Sequence, residues 1–288
     1  MSIAPINGIK IYYEKFGNGS PIIFIHGAYG GIDSSVTPRK NDWVEKLKDS
    51  HTVITYDRRS AGRSSYPDEI HSIDILASDL GELINYLKLE NPIVIGSSAG
   101  GLIALRYAFE FQKNIKKLIL VNTSYRMWKN PSRIRASQEL IRRHQILEKY
   151  GIKKAYDILM NEPPFITFYM SQDDIDNKVS YYSKEEAKKL SKKLSMEDTM
   201  KYYMGELRNQ FAYVDLDYAS RLDEIIVDTL VIHGDADVQV PYPLGVELAK
   251  GIKGSKFITI PGAGHGLMAN NQTIDHIKEF CGNLDENN

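Results

Sequence analysis

The sequence predicts an α/β protein: a mainly parallel β-sheet flanked by helices on both faces, with one helical segment inserted into it. Three observations carry that expectation. Strand-like runs at residues 9–16, 22–25, 52–56, 93–95 and 118–121 are interleaved with helical stretches. Ile73, Leu76, Ala77, Leu80, Leu83, Ile84 and Leu87 recur at three- and four-residue spacings, which marks a helix with one apolar face. After Val121 the strands stop, and they resume only at residues 229–233 and 256–260, with a helix from about Leu267 closing the chain.

The interval 124–225 reads as an inserted helical cap, which leaves residues 1–123 and 226–288 as the core domain. Asn130-Pro131 offers a helix start, a capping side chain followed by proline in the first turn. Pro163-Pro164 must break a helix. Ser183-Lys184-Glu185-Glu186 resembles a capping box ahead of the apolar stripe Ala187, Leu190 and Leu194. The insert holds ten of the 18 tyrosines and six of the eight methionines. Two readings of that enrichment stand: packing of the cap on the main sheet, or an adaptable, mostly apolar pocket roof with a few hydroxyls.

Whole-chain properties exclude several classes of function. A length of 288 residues suffices to bury a full core. A net charge of −1 supplies no basic field for nucleic acid. No apolar run is long enough to span a bilayer, and the start Met1-Ser2-Ile3-Ala4-Pro5-Ile6 has neither a basic n-region nor a long apolar h-region. Cys281 is the single cysteine, so an internal disulfide is impossible. A cytoplasmic location is expected. No Cys/His cluster has zinc-like spacing and no glycine fingerprint for a nucleotide is present, so no metal and no cofactor are expected.

The chemistry concentrates at strand ends. Ser98 is the centre of Gly96-Ser97-Ser98-Ala99-Gly100, directly after the apolar run Asn91-Pro92-Ile93-Val94-Ile95 and before the helical pattern 102–109. The pentapeptide alone is a weak signal; strand, tight turn and helix around it make it specific. Such a turn lifts the hydroxyl above the carboxyl edge of a sheet, and small residues on either side let strand and helix backbones approach.

A serine hydroxyl needs a base. Of seven histidines, His265 lies on the glycine-rich loop Pro261-Gly262-Ala263-Gly264-His265-Gly266 after the strand 256–260, where it can swing over a neighbouring strand end. His51 opens a strand, His26 and His233 close strands, and His71, His144 and His276 fall on or beside helices. A carboxylate must then orient the base. Asp235 and Asp237 compete in the loop Gly234-Asp235-Ala236-Asp237 after the strand 230–233. Asp237, further into the loop, is favoured, and Asp235 is expected to cap the turn. The loop His26-Gly27-Ala28-Tyr29-Gly30-Gly31, after the strand 21–25, is placed to supply one oxyanion-binding N–H from Ala28; the other should come from Ala99. Tyr29 is the candidate substrate contact.

Together these segments resemble the serine-dependent α/β-hydrolase superfamily, in its capped, esterase-like form. The resemblance covers almost the whole chain and includes Asp57-Arg58-Arg59-Ser60-Ala61-Gly62-Arg63-Ser64, similar to the family's Asp-x-Arg-Gly-x-Gly-x-Ser stretch. Ser60 stands where the family usually has glycine, and the loop 26–43 looks several residues longer than usual. Gly27-Ala28-Tyr29 matches neither the lipase-like Gly-Gly-Gly nor the Gly-Gly-Pro of prolyl iminopeptidases. The chain order Ser98, Asp237, His265 is the family's order, and serine rather than aspartate at the nucleophile position argues against haloalkane dehalogenases and epoxide hydrolases. The resemblance implies a serine hydrolase of a small to medium, mostly apolar carboxylic ester. Carbon–carbon bond hydrolase of ketonic substrates, lactonase, amide hydrolase and a perhydrolase side reaction remain open. So does a ligand-binding, receptor-like protein on the same fold.

Overall fold

The computed structural model describes residues 2–28, 42–127, 133–161 and 195–282. Among them, eight strands form one sheet: β1 (Ser2–Ile6), β2 (Ile9–Phe16), β3 (Ser20–Ile25), β4 (His51–Tyr56), β5 (Ile93–Ser97), β6 (Lys117–Val121), β7 (Thr229–Gly234) and β8 (Lys256–Ile260). Their order is β1-β2-β4-β3-β5-β6-β7-β8, with β1 and β2 antiparallel to their neighbours and every pairing from β4 to β8 parallel. The helices are α1 (Asp42–Leu47), α2 (Ile73–Tyr86), α3 (Ala99–Phe111), α4 (Arg133–Asn161), α5 (Met196–Phe211), α6 (Tyr242–Gly251) and α7 (Asn271–Cys281).

The apolar strands are explained by burial on both faces. Val94, Leu118 and Leu120 pack in one layer with Leu80 and Leu83 of α2, Leu102 and Leu105 of α3 and Leu248 of α6. Their neighbours Ile93, Ile95, Ile119 and Val121 pack in the opposite layer with Trp43 and Leu47 of α1 and Ile274 and Ile277 of α7. Each such side chain, fully withdrawn from water, contributes about 1.5–3 kcal/mol before chain entropy is counted. The helix predicted from Ile73 is α2, started by Ser72, whose Oγ accepts from the Ile75 N–H at 3.2 Å. The closing helix begins later than Leu267: residues 267–269 form a 3-10 turn, and Asn270 caps α7 by accepting from the Thr273 N–H at 3.1 Å.

β1 is not among the strands that the apolar runs predict. It pairs with β2 through a two-residue turn in which Asn7 (φ 47°) and Gly8 (φ 71°) are both left-handed, the geometry that matches strand twist.

The chain soon after β6 and the chain ahead of β7 meet in one short bridge. Arg126 bridges Asp217 in antiparallel fashion, with Met127 N–H to Leu216 O at 3.1 Å and Tyr218 N–H to Tyr125 O at 2.9 Å. α4 is interrupted at Gly151 (φ 71°, ψ 170°) and packs on α5 through Ala155, Leu159, Met200 and Tyr203. Met200, Tyr202, Tyr203, Met204, Tyr213 and Tyr218 are between 2% and 6% exposed. Asn130-Pro131, Pro163-Pro164 and the stretch from Ser183 to Leu194 lie outside the described residues.

The sheet order also fixes where a site can form. From β3 the chain steps outward to β4 on one side, then returns to β5 on the other, so the carboxyl ends of β3 and β5 mark a topological switch point, the place where such sheets bind ligands. Below it, Arg59 is fully buried and ties the turn after β4 to α2. Its Nε and Nη2 reach the two oxygens of Asp79 at 2.5 and 2.8 Å, and its Nη1 reaches Glu69 at 2.7 Å. Removing one partner of such a pair leaves an uncompensated buried charge. Asp79→Ala is therefore expected to lower the unfolding free energy by about 3–5 kcal/mol in urea titrations; a loss under about 1 kcal/mol would show that Arg59 does not depend on it.

Candidate active site

Ser98 occupies the turn between β5 and α3 with φ 52° and ψ −124°, a left-handed backbone that side chains rarely adopt. The strain, of order 1–3 kcal/mol, persists only where the surroundings over-determine it. Here the Ser98 N–H donates to Val121 O at 2.9 Å, Gly101 N–H donates to Ser98 O at 2.8 Å, and Thr123 Oγ1 donates to Ser98 O at 2.7 Å. The flanking glycines are required by contact: a Cβ on Gly96 would lie 2.6 Å from Gly100 O, and one on Gly100 would lie 2.2 Å from Ile25 O.

Three strand ends converge on this serine. His265 Nε2 lies 3.0 Å from Ser98 Oγ, and His265 Nδ1 lies 2.8 Å from Asp237 Oδ2. An ionised carboxylate can only accept, so Nδ1 carries the proton and Nε2 is left to accept from the serine hydroxyl. The Asp237 side chain is fully buried. Its Oδ1 accepts from the N–H groups of Gln239 and Val240 at 2.8 and 3.0 Å, which fixes the carboxylate plane. Asp235, the competing acid, is exposed and accepts from the Gly262 N–H at 2.6 Å; it ties the two loops together and does not meet the imidazole. His233 is buried, held neutral by that burial, and 3.6 Å from Asp237 Oδ2 while its Nε2 donates to Val240 O at 2.9 Å.

Two residues that the sequence did not single out hold the loops around the serine. Asn122, at the end of β6 and fully buried, accepts from Gly234 N–H at 3.1 Å through Oδ1 and donates to Gly264 O at 3.1 Å through Nδ2. It thereby joins the loop of Asp237 to the loop of His265, one residue beyond the Val121 carbonyl that anchors Ser98. Arg58 is the second. His26 Nε2 accepts from the Arg58 backbone N–H at 3.1 Å, so its Nδ1 bears the proton and donates to Gly27 O at 2.7 Å. Burial and then the Arg58 cation push the His26 pKa well below its usual value. Arg58 Nη2 donates to the same Gly27 O at 3.0 Å, and its Nη1 bonds the Tyr213 hydroxyl. Only the tertiary approach of these segments reveals such contacts; the stretch 57–64 contains Arg58 without giving its partners.

Gly27 abuts the serine: a Cβ there would sit 3.0 Å from Ser98 Cβ and 3.5 Å from its Oγ. Ala28 follows it in the loop after β3. Ala99 opens α3, where the first N–H groups of a helix have no intrahelical acceptor. Tyr29 and the rest of the long loop up to residue 41 lie outside the described residues. Ser60, in place of a family glycine, is left-handed (φ 53°) and buried; His71 Nε2 meets its hydroxyl at 2.9 Å. Among the described residues, no group of three His, Cys, Asp or Glu side chains could hold a metal, and no helix is long and apolar enough to cross a membrane.

A hydroxyl, an imidazole and a buried carboxylate in a hydrogen-bonded line, set on the carboxyl edge of a parallel sheet, can generate a nucleophile without a cofactor. The family model for the alpha/beta hydrolase fold matches residues 20–272, and the chain belongs to that family. It is 30% identical to a putative non-heme chloroperoxidase of Synechocystis sp., over 90% of this chain and 89% of that protein. It is 25% identical to a bifunctional esterase/perhydrolase of Acinetobacter calcoaceticus, over 91% of each. Among solved structures, the enol-lactonase from Burkholderia xenovorans superposes with a TM-score of 0.68 at 23% identity, covering 97% of this chain and 99% of that one; at that identity the likeness is one of fold.

The buried turn that seats Arg58 also makes stability depend on pH. Burial, reinforced by Arg59, lowers the His71 pKa to about 3 from an ordinary 6.5. Between those values the unfolded chain binds a proton that the folded protein refuses. The His71 contribution to stability is thus complete above pH 6.5 and is lost as the pH drops toward 3. At pH 4.5, His71 should account for about 2–3 kcal/mol of lost stability. Urea titrations of wild type and His71→Gln at pH 7 and 4.5 should show a shallower loss in the variant; equal losses would contradict the assignment.

Proposed function

We propose that the protein is a serine hydrolase that cleaves a small to medium, mostly apolar carboxylic ester through an acyl-enzyme. The reading rests on one observation, the unbroken chain from Ser98 Oγ to His265 (3.0 Å) to Asp237 (2.8 Å) above a strained turn. Ser98 Oγ attacks the ester carbonyl carbon while His265 Nε2 takes its proton. Asp237 stabilises the resulting imidazolium and holds the ring in the required tautomer. The carbonyl oxygen becomes an oxyanion and is bound by the N–H groups of Ala28 and Ala99, each worth about 2.7–4 kcal/mol of transition-state stabilisation. As the tetrahedral intermediate collapses, the C–O bond to the alcohol breaks and the alcohol leaves with the proton from His265. Water then attacks the acyl group with His265 as base, and the carboxylic acid departs. Residues 124–225 act as a cap over this site, between core segments 1–123 and 226–288.

The named activities of relatives support an ester substrate and add a second reading. The Acinetobacter protein at 25% identity is called an esterase and perhydrolase, and the Synechocystis protein at 30% a chloroperoxidase. Hydrogen peroxide attacking the acyl-enzyme in place of water would release a peracid and the free serine, a perhydrolase side reaction of the same site.

Ser98→Ala should lower turnover of p-nitrophenyl esters by at least ~10³-fold with the circular dichroism spectrum unchanged. Retained turnover would refute the assignment. Asp237→Asn should cost about 10⁴-fold in kcat, while Asp235→Asn stays within about threefold. A larger loss from the Asp235 change would move the acid role to that residue.

A further inference from the structure

We propose that Arg58 is a positioning residue for the oxyanion site: it holds the Gly27–Ala28 peptide in the orientation that turns the Ala28 N–H toward the reacting carbonyl. This rests on the serine hydrolase reading above and extends it to a residue outside the reacting groups.

The argument begins with the peptide plane. The described chain has no cis peptide bond. In a planar trans peptide the carbonyl of one residue and the N–H of the next point in opposite directions. Whatever fixes Gly27 O therefore aims Ala28 N–H. Gly27 O accepts two bonds from the protein interior, from His26 Nδ1 at 2.7 Å and from Arg58 Nη2 at 3.0 Å. The second is charge-assisted and the stronger kind. Gly27 lacks a Cβ and abuts Ser98, so its own backbone is the least able to resist a peptide flip. The stiffness must come from its acceptor bonds.

Arg58 is in turn fixed from the far side. Its Nη1 bonds Tyr213, and its Nη2 lies 3.8 Å from the carboxylate of Glu206, which is fully buried on α5. One guanidinium thus links α5 and the segment after it to the loop beside the serine. For stability alone this is a poor choice, because an apolar side chain of similar volume avoids the desolvation of a buried ion pair. A planar fork that can serve Tyr213 and Gly27 O together is what the position calls for, and lysine cannot supply it.

The test compares Arg58→Lys and Arg58→Met with wild type. kcat and KM are measured on a p-nitrophenyl ester, Ki for an alkyl boronate that forms a tetrahedral adduct, and melting temperature by circular dichroism. Arg58→Lys keeps a cation beside Glu206 and decides the question if Arg58→Met folds poorly. The expected result for Arg58→Lys is a fall in kcat of about tenfold, a KM within about twofold of wild type, and boronate binding weakened in proportion to kcat/KM. Arg58→Met, where folded, should lose about 10²-fold in kcat with the same pattern. A purely structural role would shift the melting temperature and leave that parallel unmet. Folded Arg58→Lys losing threefold or less in kcat, or losing kcat with boronate affinity unchanged, overturns the proposal. Ser98→Ala in the same assay separates the two claims. If it stays active the hydrolase reading fails. If it is dead while Arg58→Lys is fully active, only the role of Arg58 fails.

Discussion

The left-handed backbone at Ser98 is the constraint on which the site depends. A serine at φ 52°, ψ −124° projects its hydroxyl off the end of β5 instead of along the sheet face. The conformation is unfavourable by itself, so neighbouring elements must impose it. β6 does so through Val121 O and Thr123, and α3 through Gly101 N–H. Because β6, β7 and β8 follow β5 in sheet order, the strand that anchors the serine also presents Asn122, which pins the next two loops. Residues 121–123 thus hold the serine turn and, through Asn122, join the loops of Asp237 and His265.

Adjacent arginines serve different parts of the polar interior. Arg59 points into the core and pairs Asp79 with two bonds, tying the turn after β4 to α2. Arg58 points the other way, to Tyr213, Glu206 and the carbonyl of Gly27. Burying two neighbouring guanidinium groups is unfavourable unless each is matched, and each has its own carboxylate. Asp237 and His265 obey the same rule. Both carboxylate oxygens of Asp237 and both ring nitrogens of His265 have partners.

Much of this was legible in the sequence because the parallel strands are buried on both faces, which makes them short apolar runs, and because each predicted site residue sits where such a run meets a glycine. Ser98, His265 and Asp237 all follow that pattern, and the geometry brings the three together. β1 was harder to read: only Ala4 and Ile6 of its five residues are buried, and the informative letters were the turn residues Asn7-Gly8 after it. α1 is six residues long, too short for a helical period to declare itself. Arg58 and Asn122 were illegible for a different reason. Their contacts reach partners 155 and 142 positions away, Tyr213 and Gly264, and no spacing along the chain encodes such an encounter.

The central claim is that one hydroxyl in this chain is activated. The most direct measurement is mass-spectrometric mapping of the native protein after reaction with a fluorophosphonate. The account predicts a single adduct on the peptide containing Ser98, with labelling strongly slowed in His265→Ala. Folded protein that takes up no label, or takes it up on another serine at an undiminished rate in that variant, would contradict it.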